Sequence, residues 1–297
     1  YYFKTGISPV IFQKQLDFFK NKFTIVSLSE AYEMARNGDN FKNHLCLTFD
    51  DGFSECYDII FPILKRNGIK ATFFIIEKTL DNLDMTWRNK LLVIENALDE
   101  FQKSILIKKF AENFKIDNIL VNNFLEESKL WEMSKKDVYC DFLWENAGMG
   151  SLLDFLSKHR PYLSVNEVFE ILNEGHEIGC HSYSHPFCNK LNHEEIDFEI
   201  TGSAKRISNR FSTNCSHFSY PFGFRCSVEN ELYILKTSSL KSLVGTRDIL
   251  RNDKDNTQSW ERVSMEMNYQ KSKFSFYVTP FLRRYNLRKE AHFRLYS

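Results

Sequence analysis

The chain has 297 residues, enough to bury a sizeable core in one large domain or two smaller ones. Its composition, 43% hydrophobic and 26% charged residues, is ordinary for a globular protein. Its formal net charge is zero, which argues against a broad nucleic-acid-binding surface, because such domains are usually basic. No apolar run of about 18 residues occurs, so the sequence predicts no membrane span.

Seven cysteines are present, an odd number, and no two of them have the Cys-x-x-Cys spacing. This pattern favours reduced thiols and a cytoplasmic protein. The first residues do not have the pattern of a signal peptide, and a signal further upstream in a longer gene product stays open.

The first part of the chain predicts strands that alternate with helices. Residues 11–20 carry apolar side chains at helical spacing, and residues 23–28 form a short apolar run typical of a strand. Ser27 and Glu30 have the spacing of a capping box, which begins the next predicted helix. A second apolar run, residues 44–49, predicts a buried strand that ends in two carboxylates and a glycine.

Asp50 and Asp51 follow that strand directly. The carboxyl ends of strands are where α/β folds place their functional sites. Two adjacent carboxylates repel each other when they lose water, and a divalent metal is the usual compensation, with one carboxylate as ligand and the other as base. An Asp-Gly turn with an aspartate as helix cap explains the pair equally well when it is taken alone.

The alternation then stops. Residues 54–67 predict a helix in which Pro62 causes a kink or a late start, and residues 71–76 predict a strand. Residues 80–163 contain no convincing strand pattern, and apolar residues recur there every three or four positions. The sequence therefore predicts a helical insertion at about 80–163.

Strands and helices alternate again after the insertion. Two helices are predicted from the capping patterns Ser164-x-x-Glu167 and Asn192-x-x-Glu195, and a last helix from residues 275–287. The predicted strands of this part are residues 177–181, 217–221, 242–246 and 262–267. About seven strands separated by helices predict an α/β fold with a parallel sheet. Periodicity alone is equally compatible with an open, doubly wound sheet.

His181 and His185 follow the strand predicted at residues 177–181. Histidines four residues apart can share one helical face and bind one ion, and imidazole is the commonest protein metal ligand near neutral pH. Two surface or helix-capping histidines are the alternative. That alternative loses weight once the pair is considered together with Asp50 and Asp51.

Three motifs follow one another along the chain: Thr-Phe-Asp-Asp at residues 48–51, His-Ser-x-x-His at residues 181–185 and Tyr-Pro-Phe-Gly at residues 220–223. In this order they resemble the polysaccharide deacetylase family, with its NodB homology domain and its carbohydrate esterase family 4 members. The resemblance implies a distorted seven-stranded (β/α) TIM-like barrel. It implies a single deacetylase domain over residues 1–297, interrupted by the helical insertion.

The resemblance also implies a set of site residues. Asp50 would be the general base, a backbone N–H near Phe222 would stabilise the oxyanion, and Tyr220 and Phe222 would shape a sugar pocket. The cofactor would be a divalent metal, with Zn²⁺ favoured, bound by three ligands: Asp51, His181 and His185.

The chain departs from the family pattern at two places. Ser219 stands where the family often has an arginine that steadies the base, and Arg262 is the predicted replacement, with Arg225 as a weaker candidate. The usual Leu-x-His segment of the general acid is missing. The remaining candidates for that acid are His292, His217, His176 and His44.

The resulting expectation is a hydrolase acting on carbon–nitrogen bonds other than peptide bonds. It would remove an N-acetyl group from an acetamido sugar in a polysaccharide or a glycan precursor. Two alternatives stay open: an amidohydrolase of a small cyclic amide, and a non-catalytic sugar-binding homologue. The sequence does not identify the sugar, its linkage, the general acid or the oligomeric state.

The role of the insertion has two interpretations, a packing element and a lid beside the site that sets substrate choice. Its tryptophans favour contact with sugar rings. They are Trp87, Trp131 and Trp144.

Overall fold

Eight short strands form the framework of the described part of the chain. A computed structural model describes residues 8–39, 43–116, 124–246, 258–263 and 265. In chain order the strands are β1 (Thr24–Ile25), β2 (His44–Leu45), β3 (Thr48–Phe49), β4 (Thr72–Ile75), β5 (Glu177–Cys180), β6 (His217–Ser219), β7 (Ser242–Gly245) and β8 (Ser259–Glu261).

All of these strands pair in parallel. β3 to β8 form a six-stranded sheet in which spatial order follows chain order, and β1 pairs with β2 in a second, two-stranded sheet. Parallel neighbours need a crossover connection, which is usually helical. The predicted α/β fold with a parallel sheet is therefore confirmed, and closure into a seven-stranded TIM-like barrel stays a prediction.

Helices supply the crossovers and the insertion. Before the insertion they are α1 (Pro9–Lys22), α2 (Leu28–Asn37) and α3 (Phe61–Asn67). Between β4 and β5 they are α4 (Trp87–Ala97), α5 (Glu100–Phe114), α6 (Phe124–Glu127), α7 (Lys136–Asn146), α8 (Leu152–His159) and α9 (Val165–Asn173). Towards the C-terminus they are α10 (His193–Ile196), α11 (Ser203–Phe211) and α12 (Val228–Thr237). No helix of the described residues is both long and apolar enough to cross a membrane.

The predicted helix starts agree with the local hydrogen bonds. Both reciprocal bonds of a capping box are present at the starts of α2, α9 and α10. Pro62 lies in the first turn of α3, and a π-helical turn, Cys56–Ile60, precedes it. Because proline has no N–H to donate, the regular helix begins late, as Pro62 predicts.

The last predicted elements fare differently. β8 covers Ser259–Glu261, ahead of the strand predicted at residues 262–267, of which only residues 262, 263 and 265 are described and none of these lies in a strand. The pairing with β7 starts earlier than predicted, at Ser259, and its last hydrogen bond runs from the N–H of Arg262 to the carbonyl oxygen of Gly245. The helix predicted at residues 275–287 lies outside the described residues.

The segment between β4 and β5 packs into the same apolar core as the sheet. The side chains of Trp87, Trp131 and Trp144 are 0%, 4% and 3% exposed, and all three belong to this core. Contact between these tryptophans and a sugar, expected from the sequence, is therefore wrong, because a substrate cannot reach buried rings. The apolar periodicity of the insertion reports helix packing instead.

Candidate metal centre

Three side chains that the sequence predicts as ligands meet at the carboxyl ends of β3 and β5. Asp51 lies two residues after β3, and His181 follows β5 directly. The Nε2 atoms of His181 and His185 lie 3.3 and 3.1 Å from Oδ1 of Asp51. Candidate ligand atoms of the three residues all lie within 4.8 Å of one another. The structure therefore brings Asp51 together with two histidines that lie 130 or more positions later in the chain.

The hydrogen bond made by Nδ1 of His181 indicates which kind of ligand this cluster can bind. Nδ1 of His181 lies 2.8 Å from the carbonyl oxygen of Ser219, which can only accept, so Nδ1 carries the proton. When Nε2 is unprotonated, its lone pair faces Oδ1 of Asp51, itself an acceptor, and a cation between the two atoms would resolve that conflict. Two ligands at zinc-like bond lengths and a tetrahedral angle lie about 3.3 Å apart, which matches the observed separations. The donor set therefore fits a divalent ion.

The pKa values of the three groups follow from burial and from their mutual charges. Burial opposes ionisation of Asp51, but the charge of His185 and hydrogen bonds from both histidines hold the pKa of Asp51 below its usual value. Burial also disfavours the charged form of His181, but Asp50 and Asp51 outweigh it and raise the pKa of His181. For His185 burial dominates and lowers the pKa. Metal binding requires the ionised carboxylate and neutral imidazoles, so a bound ion would displace the Nε2 proton that the raised pKa of His181 favours in its absence.

The backbone around the cluster is unusual. Four non-glycine residues have left-handed φ values: Asp51 at 70°, Ser182 at 71°, His185 at 62° and Phe222 at 56°. Such conformations cost about 1–3 kcal/mol each and persist only where the surroundings impose them. They concentrate at functional sites, and here they direct side chains of three different loops towards one point.

Asp50 lies beside this cluster and is held by a fork of donors. Nη1 and Nη2 of Arg262 donate to Oδ1 and Oδ2 of Asp50 at 2.7 and 2.6 Å, and Oγ of Ser219 donates to Oδ2 at 3.0 Å. Burial opposes ionisation of Asp50, but the charge of Arg262 outweighs it and lowers the pKa of Asp50. Oδ2 lies 3.9 Å from Nε2 of His181. Asp50 is therefore a fixed carboxylate next to the candidate ligands.

The two candidate arginines have different partners. Arg262 contacts Asp50, as the sequence analysis expects of the arginine that replaces the missing one. Arg225 instead pairs with Glu231 at 2.7 Å and Glu261 at 3.1 Å, away from Asp50. Ser219, predicted only as the position of a missing arginine, accepts a hydrogen bond from Arg262 and donates one to Asp50 through its hydroxyl, a contact that no sequence pattern indicates.

The predicted pocket residues separate into one buried and one accessible side chain. Tyr220 is fully buried and packs edge-on against Phe218 at 5.0 Å, so the prediction that its ring shapes a sugar pocket is wrong. Phe222 is 41% exposed, and its ring centroid lies 4.3 Å from that of His185. Phe222 thus has access to a ligand at the metal centre.

The predicted general acids do not join the centre in the described part of the chain. His292 lies outside the described residues. His44 and His217 are the first residues of β2 and β6, and His176 immediately precedes β5. These positions lie at the amino ends of parallel strands, opposite the carboxyl ends that carry the metal centre. Burial lowers the pKa of His176 and of His217 to about 4, so both are neutral at pH 7.

Comparison with known proteins agrees with this geometry. The family description "Polysaccharide deacetylase" matches residues 37–112 and 141–237, together more than half of the chain. The chain belongs to the polysaccharide deacetylase family. The family predicted from the three motifs is thereby confirmed.

Individual relatives of the family are distant from this chain. YxkH of Bacillus subtilis (strain 168), whose name assigns it provisionally to the polysaccharide deacetylases, is 31% identical over 88 residues. That match covers 30% of this chain and 28% of YxkH, so it spans less than a third of the relative.

Two solved structures have a similar fold. The Streptococcus pyogenes deacetylase PplD, in complex with acetate, has a TM-score of 0.59 at 17% identity and covers 92% of this chain and 87% of its own. IcaB from Ammonifex degensii has a TM-score of 0.57 at 17% identity and covers 93% of this chain and 90% of its own. At such identity the comparison supports the fold alone.

Proposed function

We propose that the protein is a divalent-metal-dependent hydrolase that removes the N-acetyl group from an acetamido sugar in a polysaccharide or glycan precursor. The observation that carries this proposal is the convergence of Asp51, His181 and His185 next to the fixed carboxylate of Asp50. Family membership supports the reaction class. The acetate in the PplD complex is the product that such a reaction releases.

Asp51, His181 and His185 would hold the ion, and three protein ligands leave one coordination position open. Zinc is the preferred ion, because two imidazoles and a carboxylate are a common zinc donor set. When bound, the ion polarises the acetamide carbonyl and makes water a stronger acid. His181 keeps its Nδ1 proton on the carbonyl oxygen of Ser219, which orients its Nε2 towards the ion.

Asp50 would take the proton of the attacking water. A carboxylate has about four acceptor positions, and Arg262 and Ser219 occupy three of those on Asp50, which leaves one for the water. Arg262 keeps Asp50 ionised, as a general base requires. The backbone N–H of Phe222 would stabilise the oxyanion, and its exposed ring would pack against the sugar.

The proposal extends to the architecture. We place residues 1–297 in one deacetylase domain in which the segment at about 80–163 is an insertion.

The test is acetate release from a panel of N-acetylated sugars and oligosaccharides. The parent protein should release acetate from at least one of them, a chelator should abolish release, and added zinc should restore it. His181→Ala should release none under any of these conditions. Zinc bound by the parent without acetate release from any sugar would instead support the non-catalytic sugar-binding alternative.

A further inference from the structure

A tryptophan of the insertion contacts the backbone of a candidate metal ligand. Nε1 of Trp87 donates to the carbonyl oxygen of His185 at 2.7 Å, in a fully buried environment. Trp87 is the first residue of α4, and the hydroxyl of Thr86 caps that helix. The indole is therefore presented from a fixed helix end and is not part of a mobile surface loop.

His185 needs such a partner because of its backbone conformation. Its φ of 62° is in the left-handed region, which a non-glycine residue adopts only when contacts impose it. The N–H of His185 donates to Oγ of Ser182 at 2.9 Å, and its carbonyl oxygen accepts from Trp87. These two bonds fix both backbone polar groups of His185, whose Nε2 points to Asp51.

Ring contacts hold the indole against the same loop. The ring of Trp87 lies edge-on to Phe187 at 5.3 Å and to Phe222 at 6.2 Å. Phe222 in turn lies edge-on to the imidazole of His185 at 4.3 Å. Trp87 thus constrains His185 from two sides, through its backbone and through the aromatic neighbour of its side chain.

A carboxylate fixes the residue just before His185. The backbone N–H of Ser184 donates to Oε2 of Glu199 at 2.8 Å, and the hydroxyl of Ser184 donates to Oε1 of the same residue. Lys136, the first residue of α7 in the insertion, lies 3.8 Å from this carboxylate. Two separate helices of the insertion therefore bear on the loop that carries the histidines.

We propose that Trp87 is a positioning residue for the metal centre: its indole N–H holds His185 in the left-handed conformation that directs Nε2 towards Asp51. The proposal rests on the proposed function in one respect, that His185 is a metal ligand. In this proposal the insertion stabilises the conformation of a metal ligand through Trp87. Outer groups that orient metal ligands typically change metal affinity by about 10–100-fold when they are removed.

Trp131 provides a matched control. It is 4% exposed, belongs to the same core, and its ring centroid lies 6.4 Å from that of Trp87. Its Nε1 has no hydrogen-bond partner among the described residues. Trp131→Phe therefore removes the same atoms from the same region as Trp87→Phe, but without removing a bond to His185.

The experiment measures zinc affinity by competition with a chromophoric chelator for the parent, Trp87→Phe and Trp131→Phe. Trp87→Phe should raise the zinc Kd by about 10–100-fold. Trp131→Phe should leave the Kd close to that of the parent. With cobalt in place of zinc, the absorption spectrum should change in Trp87→Phe and not in Trp131→Phe. Equal zinc Kd values for the parent and Trp87→Phe would overturn the proposal.

Two further measurements keep the test decisive. If Trp87→Phe does not fold, 3-benzothienylalanine at position 87 keeps the bicyclic ring and removes only the N–H, with the same expected Kd. If the parent binds no zinc, the proposed metal site fails. Crystal structures of the zinc-free parent and of the position-87 variant then test the positioning role. The positioning role of Trp87 is wrong if His185 in the variant has the same positive φ and the same distance to Asp51 as in the parent.

Discussion

At the scale of single residues, two adjacent aspartates have been given different surroundings. Oδ1 of Asp51 faces two imidazoles, whereas both oxygens of Asp50 face the guanidinium of Arg262. The left-handed φ of Asp51 and the turn at Gly52 separate the two directions. A Cβ at Gly52 would come within 3.2 Å of Ile75, so this turn tolerates no side chain without adjustment. Different environments for paired carboxylates are the usual basis for different catalytic roles.

Asp50→Asn tests the division of roles. The substitution keeps the size of the side chain but removes the proton acceptor, so turnover should fall by about 10²–10⁴-fold. Zinc content should stay at the parent level, because Asp50 is not among the three candidate ligands. Steady-state acetate release and elemental analysis measure the two effects.

The matched variant is Asp51→Asn, which should lose zinc together with activity. A loss of less than about tenfold in Asp50→Asn would show that Asp50 is not the base. In that case its bonds to Arg262 and Ser219 would be structural.

Residue identities near the site were largely accessible from the sequence, and their contacts were not. The candidate ligands follow short apolar runs, so their position at strand ends could be inferred from local patterns. The bond from Trp87 to His185 joins residues 98 positions apart, and no spacing rule indicates it. Tyr220 was misassigned because a motif gives the order of residues but not which of them faces solvent.

At the scale of elements, buried ion pairs fasten the insertion to the sheet. Nζ of Lys90 on α4 lies 2.7 Å from Asp84 and 2.6 Å from Asp141 on α7, and its side chain is 1% exposed. Nζ of Lys78, which follows β4, lies 2.8 Å from Asp84 and 3.0 Å from Asp137. Asp84 thus bridges Lys90 of α4 and Lys78 of the turn that follows β4, which ties the insertion to the end of that strand.

Lys90→Met should destabilise the protein by about 1–3 kcal/mol, because it removes a buried partner and leaves carboxylates with fewer donors. The measurement is the free energy of unfolding from urea titration at pH 7. Lys129→Met is the control, because Lys129 is half exposed and pairs with Glu126 on the surface. That change should cost less than about 1 kcal/mol.

Equal destabilisation by Lys90→Met and Lys129→Met would mean that the buried network contributes no more than a surface pair. The orientation of the insertion would then depend on apolar packing alone.

Helix and strand patterns predicted the elements better than their arrangement. Capping pairs such as Ser164 and Glu167 act within one turn, so they can be identified without knowledge of the fold. Apolar periodicity shows which face of a helix is buried but not which surface it meets. The insertion was therefore recognised as helical, while its contact with the histidine loop could not be inferred.

At the scale of the whole molecule, the candidate metal centre connects parts of the sheet that are distant in the chain. Asp51 belongs to the end of β3 and His181 to the end of β5, and β4 lies between these strands in the sheet. The insertion separates the same two strands in sequence and also contacts His185. A bound ion would therefore join the sheet, the histidine loop and, through Trp87, the insertion.

Zinc should accordingly raise the thermal stability of the entire protein. A ligand that binds only the folded state stabilises it by RT ln(1 + [L]/Kd), which is about 4.1 kcal/mol at a thousandfold excess over Kd. Scanning calorimetry with zinc and with chelator should show one cooperative transition whose midpoint temperature is higher with zinc in the parent.

His181→Ala should lose the shift, because Nε2 of His181 is one of the three candidate ligand atoms. His217→Ala is the control: its imidazole is equally buried, bonds to Ser29 and Ser242 at the opposite end of the sheet, and should leave the zinc-dependent shift intact. A shift of the same size in His181→Ala as in the parent would place the ion elsewhere in the molecule.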